Sequence, residues 1–351
     1  MALILACFTM TTQPIAEPMD KKKFKFIDLF AGIGGIRIPF DSLNGECVFS
    51  SEIDPYCQDA YEENFGERPY GDITKINPSE IPNHDILLGG FPCQAFSIIG
   101  NQKGFEDTRG TLFFNIEKIL QEKQPSAFLL ENVKQLFTHD KGNTYKVILK
   151  KLNDLGYNVQ TKVLNSLEFG VPQKRERTYI IGFLDKKINF KFPIGEKKYC
   201  LSSVLENENF IPKSYYASDY IRKKRLSSIK EKPKEATIWH ENKSGNISIL
   251  PYSCALRANA SYNYLLVNGE RRLTEREMLR LQGFPDTYKI VCNYTQTRKQ
   301  AGNSVTVPAI DAIAKNMLHA MGLFDTGKNS NVYRKNNHKI EIITRHHSIT
   351  A

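Results

Sequence analysis

An open α/β fold, in which a mostly parallel sheet carries helices on both faces and a smaller domain is inserted late in the chain, is what this 351-residue sequence predicts. Three observations lead there. The apolar run from Phe24 passes through a glycine-rich turn into a helix start near Arg37, the β–turn–α step on which such sheets are built. Short apolar runs recur at Cys47-Val48-Phe49-Ser50, Ile86-Leu87-Leu88 and Ala127-Phe128-Leu129-Leu130, with a helical period over Thr111 to Lys123 before the last of them. Between roughly 190 and 270 the composition turns basic and rich in turn residues, which marks a second unit.

The totals bound the partners. The chain is 41% hydrophobic and 25% charged, ordinary for a globular protein able to bury a core, and long enough for two domains. Its formal net charge of +10 points to a polyanionic partner, with DNA, RNA or an anionic membrane surface all open and plain solubility as the bland alternative. Seven cysteines without a Cys-x-x-Cys pair argue against a disulfide framework and a zinc cluster and for a reducing cytoplasm. The histidines form no metal-ligand spacing, so no metal is expected. The apolar Met1 to Phe8 reads as a weak signal peptide or, preferably, as part of a disordered extension over 1–20, with Met19 a candidate start. No segment approaches the roughly 18 uninterrupted apolar residues of a membrane helix.

Taken in order, the first strand ends in Phe30-Ala31-Gly32-Ile33-Gly34-Gly35. Glycines there let a ligand lie against bare backbone at a helix start, although a tight turn without a ligand has the same signature. It is neither a complete dinucleotide fingerprint nor a phosphate loop. The second strand ends at Glu52-Ile53-Asp54, where a carboxylate about 20 residues beyond the glycines suits the two hydroxyls of a ribose. Asp72, in Gly71-Asp72-Ile73, would accept from an adenine amino group. Three such edges describe a nucleoside pocket, and the missing phosphate loop favours a nucleoside without phosphates.

The third strand runs into Gly89-Gly90-Phe91-Pro92-Cys93-Gln94-Ala95-Phe96-Ser97. Proline stiffens the backbone that presents Cys93 at the carboxyl edge of the sheet, which suggests a nucleophile; a small buried hydrophobe is the alternative for any single cysteine. Gln94 to Gly110, with glycines at 100, 104 and 110, reads as a functional lid. The strand after the helix ends in Glu131-Asn132-Val133, and a carboxylate at the end of a buried strand is costly unless paired or used.

These motifs, in this order from about residue 24 to 320, resemble those of a DNA (cytosine-5)-methyltransferase of the bacterial restriction–modification type. The resemblance implies a Rossmann-like methyltransferase sheet that binds S-adenosyl-L-methionine. Phe30 would lie near its adenine or sulfonium, Glu52 on its ribose and Asp72 on its adenine, with Gly32, Gly34, Ile53, Pro92, Leu112 and Asn303 completing the cofactor set. Cys93 would add to C6 of a flipped cytosine, turning C5 into an enamine carbon, while protonated Glu131 answers the charge on N3. The lid would close on DNA through Gln94, Ser97, Lys103 and Arg109, the last two being equally at home on a solvated loop.

Farther on, Gln173-Lys174-Arg175-Glu176-Arg177 is similar to the family's Gln-x-Arg-x-Arg motif. Arginines two apart share one face of an extended segment. By resemblance Arg177 holds the cytosine near O2 and Arg175 supports Cys93 or the DNA backbone, a surface pair with Glu176 being the alternative. From Phe210 to Glu235 eight Lys/Arg face three Asp/Glu, interleaved with Tyr215, Tyr216 and Tyr220, as phosphate contacts require; for Arg222-Lys223-Lys224-Arg225 alone a solvated helix face is the alternative. Where many family members carry Thr-Leu this chain has Ala255-Leu256, followed by Arg257, which with Asn259 and Asn263 is a candidate reader of purine edges. Thr274 and Glu277 make a capping box. After Ala301-Gly302-Asn303-Ser304-Val305 an apolar helix returns to the first domain.

The expected organisation is thus a catalytic and cofactor domain over 21–190, a target-recognition domain over 191–298, a returning helix over 299–325 and a tail over 326–351. The expected partner is duplex DNA, with a cognate restriction endonuclease linked in function but not in contact, and the enzyme is expected to work as a cytoplasmic monomer away from membranes. An RNA methyltransferase of the transfer-RNA type is the rival reading. A nicotinamide oxidoreductase leaves Cys93 and Glu131 unexplained, and a catalytically dead relative leaves the complete residue set unexplained.

Overall fold

The computed structural model describes residues 23–92, 112–242 and 244–324. Cys93, Gln94, Ser97, Lys103 and Arg109, the expected extension at the start and the tail from 326 lie outside the described residues. In the first half the strands are β1 (Phe24–Leu29), β2 (Gly45–Ser51), β3 (Ile86–Gly90), β4 (Ala127–Val133), β5 (Asn158–Asn165), the two-residue β6 (Gln173–Lys174) and β7 (Glu176–Phe183). Six of them form one sheet in the order β2-β1-β3-β4-β7-β5. β2, β1, β3 and β4 are parallel, and β7 runs against both β4 and β5, so the sheet is mainly parallel with one reversed strand.

Alternation along the strands divides the side chains between two cores. Phe24 and Phe26 of β1, Leu88 of β3 and Leu129 of β4 enter one; Ile27 and Leu29, Leu87, Phe128 and Leu130 enter the other. Helices α1 (Arg37–Ser42), α2 (Pro55–Phe65), α3 (Leu112–Lys123) and α4 (Asn143–Asp154) belong to this half. The faces of α3 and α4 carrying Phe113, Ile116, Leu120, Ile148 and Leu152 cover the second core. Asp54 caps α2 by accepting from the Tyr56 amide, and Pro55 opens it at a position where no amide hydrogen is needed.

In the second half α5 (Asp219–Leu226), β8 (Ile238–Glu241), β9 (Ile247–Leu250), β10 (Ser253–Cys254), β11 (Leu265–Val267), α6 (Glu275–Leu281), α7 (Tyr294–Asn303) and α8 (Val307–Ala320) follow. β11, β8 and β9 make a small antiparallel sheet around buried Trp239, while β10 pairs with β6 and so ties this unit to the first. A third core, built on Ile238, Leu265, Met278 and Leu281, reaches Ile33 and Ala60 beside the glycine turn. The capping box at Thr274 and Glu277 forms as the sequence indicates. Arg225 departs from the basic helix face expected of its run: it is buried, donating to the Trp239 carbonyl and pairing with Glu241. Ile310, Ile313 and Met317 of α8 lie in the same core as Phe24 and Phe26, so the last helix completes the first sheet. No described helix is long and apolar enough to cross a membrane.

Candidate active site

The glycine turn after β1 meets the end of β2. The Ala31 amide donates to the Ser51 carbonyl at 3.0 Å and the Gly34 amide to the Ala31 carbonyl at 2.8 Å, closing the turn against the neighbouring strand. Its backbone is left-handed at Phe30 (φ 55°), Gly32 (φ 54°) and Gly34 (φ 78°). The two glycines differ in what surrounds them. A Cβ at Gly34 would sit 2.2 Å from the Phe65 ring, whereas at Gly32 it would meet nothing within 4 Å among the described residues. Gly34 is thus packed, and Gly32 presents an open backbone face.

Glu52 stands on that face. Its Oε2 accepts from the Gly32 amide and its Oε1 from the Asp54 amide, both at 2.8 Å. Since each carboxylate oxygen can accept more than one hydrogen bond, the group is oriented without being exhausted. Ile53 beside it is 69% exposed. Asp72 is brought to the same edge because Tyr70 pairs back to β2 and stacks on Phe49; its Oδ1 accepts from the amide and hydroxyl of Thr74. Leu112, half-buried, opens α3. Asn303 is exposed as the last residue of α7, and Ser304 and Val305 pack on Gly35. Under the turn, Asp28 is fully buried, and burial pushes its carboxyl well above the usual range against the pull of Arg37. Its Oδ1 has no hydrogen-bond partner among the described residues.

The catalytic side lies one strand over. Glu131 faces Gly90 in the β3–β4 register, and its Oε2 lies 3.7 Å from where a Gly90 Cβ would be, a point equally close to Ile36 beyond the glycine turn. The buried Glu131 carboxyl pairs with Arg177 Nε at 3.0 Å. Burial raises its pKa, while Arg177 and then Arg175 oppose the rise. The carboxyl is therefore biased towards the protonated form without losing its cationic neighbour. Just past the end of β3 at Gly90, Phe91 is buried and Pro92 is exposed.

The alternation in Gln173-Lys174-Arg175-Glu176-Arg177 turns all three odd-numbered side chains inward, to different ends. Gln173 donates to the Leu281 carbonyl and accepts from the Leu256 amide. Arg175 is buried, with its guanidinium on the backbone carbonyls of Leu256, Gly302 and Ser304. Through these bonds Arg175 holds the second unit to the sheet. Only Arg177 faces Glu131. The carboxylate of Glu176 goes to Lys134 instead of to either arginine.

Comparison with known proteins gives this arrangement its context. The model for C-5 cytosine-specific DNA methylase matches residues 24–319. The chain belongs to this family. It is 62% identical over 303 residues to the type II methyltransferase M.HaeII of Haemophilus aegyptius, covering 86% of this chain and 95% of that one. It is 60% identical over 293 residues to M.NgoBI of Neisseria gonorrhoeae, with 83% and 92% covered. A solved structure of the S. pombe Dnmt2 methyltransferase shares the fold, with a TM-score of 0.66 at 20% identity, over 85% of this chain and 99% of that one.

For a C-5 cytosine methylase, two further residues matter that the sequence reading passed over. Asn132, buried next to Glu131, donates from Nδ2 to the Phe91 carbonyl at 2.9 Å and so pins the backbone that leads into Cys93. Gln282, also fully buried, donates to the Ala301 carbonyl and shares a hydrogen bond with Gln173. A polar residue adjoining a strand-end acid was the available signal for Asn132; nothing local marks Gln282.

Proposed function

We propose that this methylase transfers a methyl group from S-adenosyl-L-methionine to C5 of a cytosine turned out of a short, specific duplex DNA word, through a transient bond between Cys93 and C6. The observation that carries the reading is the placement of a buried, proton-biased Glu131, paired with Arg177, at the head of β3 and β4 next to an open glycine turn and its carboxylate. The open face at Gly32 and the oriented Glu52 fit a nucleoside cofactor: Glu52 would take the ribose, Asp72 the adenine, and Phe30, Ile53, Pro92, Leu112 and Asn303 the remaining surface. Bound there, S-adenosyl-L-methionine supplies an electrophilic methyl group on its sulfonium.

The chain's own residues do the rest. Cys93 sulfur bonds to C6, breaking the C5–C6 double bond, and the charge that would build on N3 is met by the Glu131 proton. C5, now an enamine carbon, takes the methyl. A base, for which an ordered water is the candidate, takes the C5 proton; the C6–S bond then breaks to return the Cys93 thiolate, N3 hands its proton back to Glu131, and the ring is aromatic again. Arg177 keeps the Glu131 carboxyl oriented and would hold the base at O2. Flipping follows from geometry, because C6 within a stacked duplex is closed to a thiolate. Gln94, Ser97, Lys103 and Arg109 would hold the opened strand. The enzyme would act as a cytoplasmic monomer, its mark shielding host DNA from an endonuclease of matching specificity. An RNA substrate is the weaker reading, since the relatives at 60% identity and above are type II methyltransferases.

The test is bisulfite sequencing of DNA from cells expressing the wild type or Cys93→Ser. Methylcytosine at one short recurring word with the wild type, and none with the variant, is expected; equal methylation by both would sink the covalent route.

A further inference from the structure

One exposed arginine in the second unit is held as firmly as a buried one. The Arg257 guanidinium lies over the Tyr264 ring, 4.9 Å from its centroid, and its Nη2 reaches His240 Nε2 at 3.3 Å. The backbone is fixed too, the Arg257 amide donating to the Tyr264 hydroxyl at 3.1 Å. His240 stands edge-on to the same tyrosine, at 90°. No carboxylate lies within ion-pair distance of Arg257 among the described residues. A guanidinium only donates, so Nε2 of His240 carries a lone pair and the imidazole is neutral. Burial, then Arg257 and Arg225, lower the pKa of His240 and keep it so.

The place of this cation is as specific as its posture. Leu256, the residue before it, is held at its carbonyl by Arg175 and at its amide by Gln173. Two residues past Arg175, Arg177 pairs with Glu131. Gly302 makes room for the loop, since a Cβ there would fall 2.7 Å from the Arg257 carbonyl carbon. We infer that His240 is a positioning residue that fixes the Arg257 guanidinium, on the loop tied through Leu256 to Arg175, to read the O6/N7 edge of a guanine in the target word. A planar guanidinium locked by a ring and an imidazole suits a planar two-acceptor edge such as O6/N7 of guanine, and salt dependence separates that from a bidentate phosphate contact. The inference rests on the DNA reading given above.

The experiment uses the full chain and a randomised duplex library, read by bisulfite sequencing after methylation and, separately, by selection for binding without methyl donor. Arg257→Ala and His240→Ala should both relax discrimination at the same guanine by about 10- to 100-fold, and the double variant no further. His240→Gln, whose amide oxygen can accept from the guanidinium, should restore most of it, with thermal unfolding unchanged throughout. Relaxation by Arg257→Ala alone overturns the role of His240. A uniform loss across all words with a shallower salt dependence marks a phosphate contact and overturns the inference as well. Absence of methylcytosine with the wild type refutes the assigned reaction instead, and the binding arm still reads the guanine position.

Discussion

Gly32 and Gly34 stand two residues apart in one turn, and the same substitution should do different things to them. Alanine at either must adopt a left-handed backbone, which costs about 1–2 kcal/mol. At Gly34 the new methyl would also strike the Phe65 ring at 2.2 Å, adding about 1–3 kcal/mol of overpacking, so that Gly34→Ala should lose about 2–5 kcal/mol in all. At Gly32 the methyl meets nothing within 4 Å among the described residues, so the stability loss should stop at the backbone cost. Its methyl projects instead onto the face next to Glu52 where the cofactor is proposed to lie. Urea unfolding and titration calorimetry with S-adenosyl-L-methionine, on the same preparations, separate the two. Gly32→Ala should keep most of its stability while cofactor affinity falls by about 5- to 150-fold, the equivalent of the same overpacking transferred to the ligand. If Gly32→Ala binds the cofactor like the wild type, the open face is not the binding face and the argument from the two glycines is refuted.

Four other expectations follow from the same geometry. Glu131→Gln should slow single-turnover methyl transfer by about 10²- to 10⁴-fold while leaving DNA binding intact; because Arg177 opposes the rise in the Glu131 pKa, Arg177→Ala should move the alkaline limb of the pH–rate profile upward, and a downward shift contradicts the pairing. Arg175→Met would orphan three backbone carbonyls and should cost at least about 3 kcal/mol in urea unfolding, a loss below about 1 kcal/mol being incompatible with its role as a tie. The raised pKa of Asp28 means that the folded state holds a proton the unfolded chain releases, so its burial penalises stability increasingly as pH climbs from the usual carboxylate range towards that raised value. Asp28→Asn should therefore match the wild type in acid and gain in melting temperature as pH rises, and a variant that melts lower at pH 8 would reverse the sign.

What was legible in the sequence was what short-range pattern controls. The strand into the glycine turn, the acid at the end of β2, the amphipathic α3 and the capping box at Thr274 all declare themselves within a few residues. The inward alternation of Arg175 and Arg177 was legible as well, but not the partner of each, because Leu256, Gly302 and Ser304 come to Arg175 from segments 81 to 129 residues away. Arg225 shows the same limit: among four consecutive cations no local pattern says which one Trp239 and Glu241 will bury. The expected single helix over 299–325 is two, α7 ending at Asn303 and α8 opening at Val307, a break that falls at the Gly-Asn-Ser run.

The seating of α8 in the core that holds Phe24 and Phe26 bears on how this protein is made. A ribosome delivers the first strands long before residue 320, and at roughly 5–20 residues per second the half-built sheet waits many seconds with one apolar flank uncovered. During that interval the uncovered flank is open to off-pathway contacts, and the first core closes only once α8 has been made. A polypeptide ending before α8 would carry the strand-end residues of the site without the helix that completes their core.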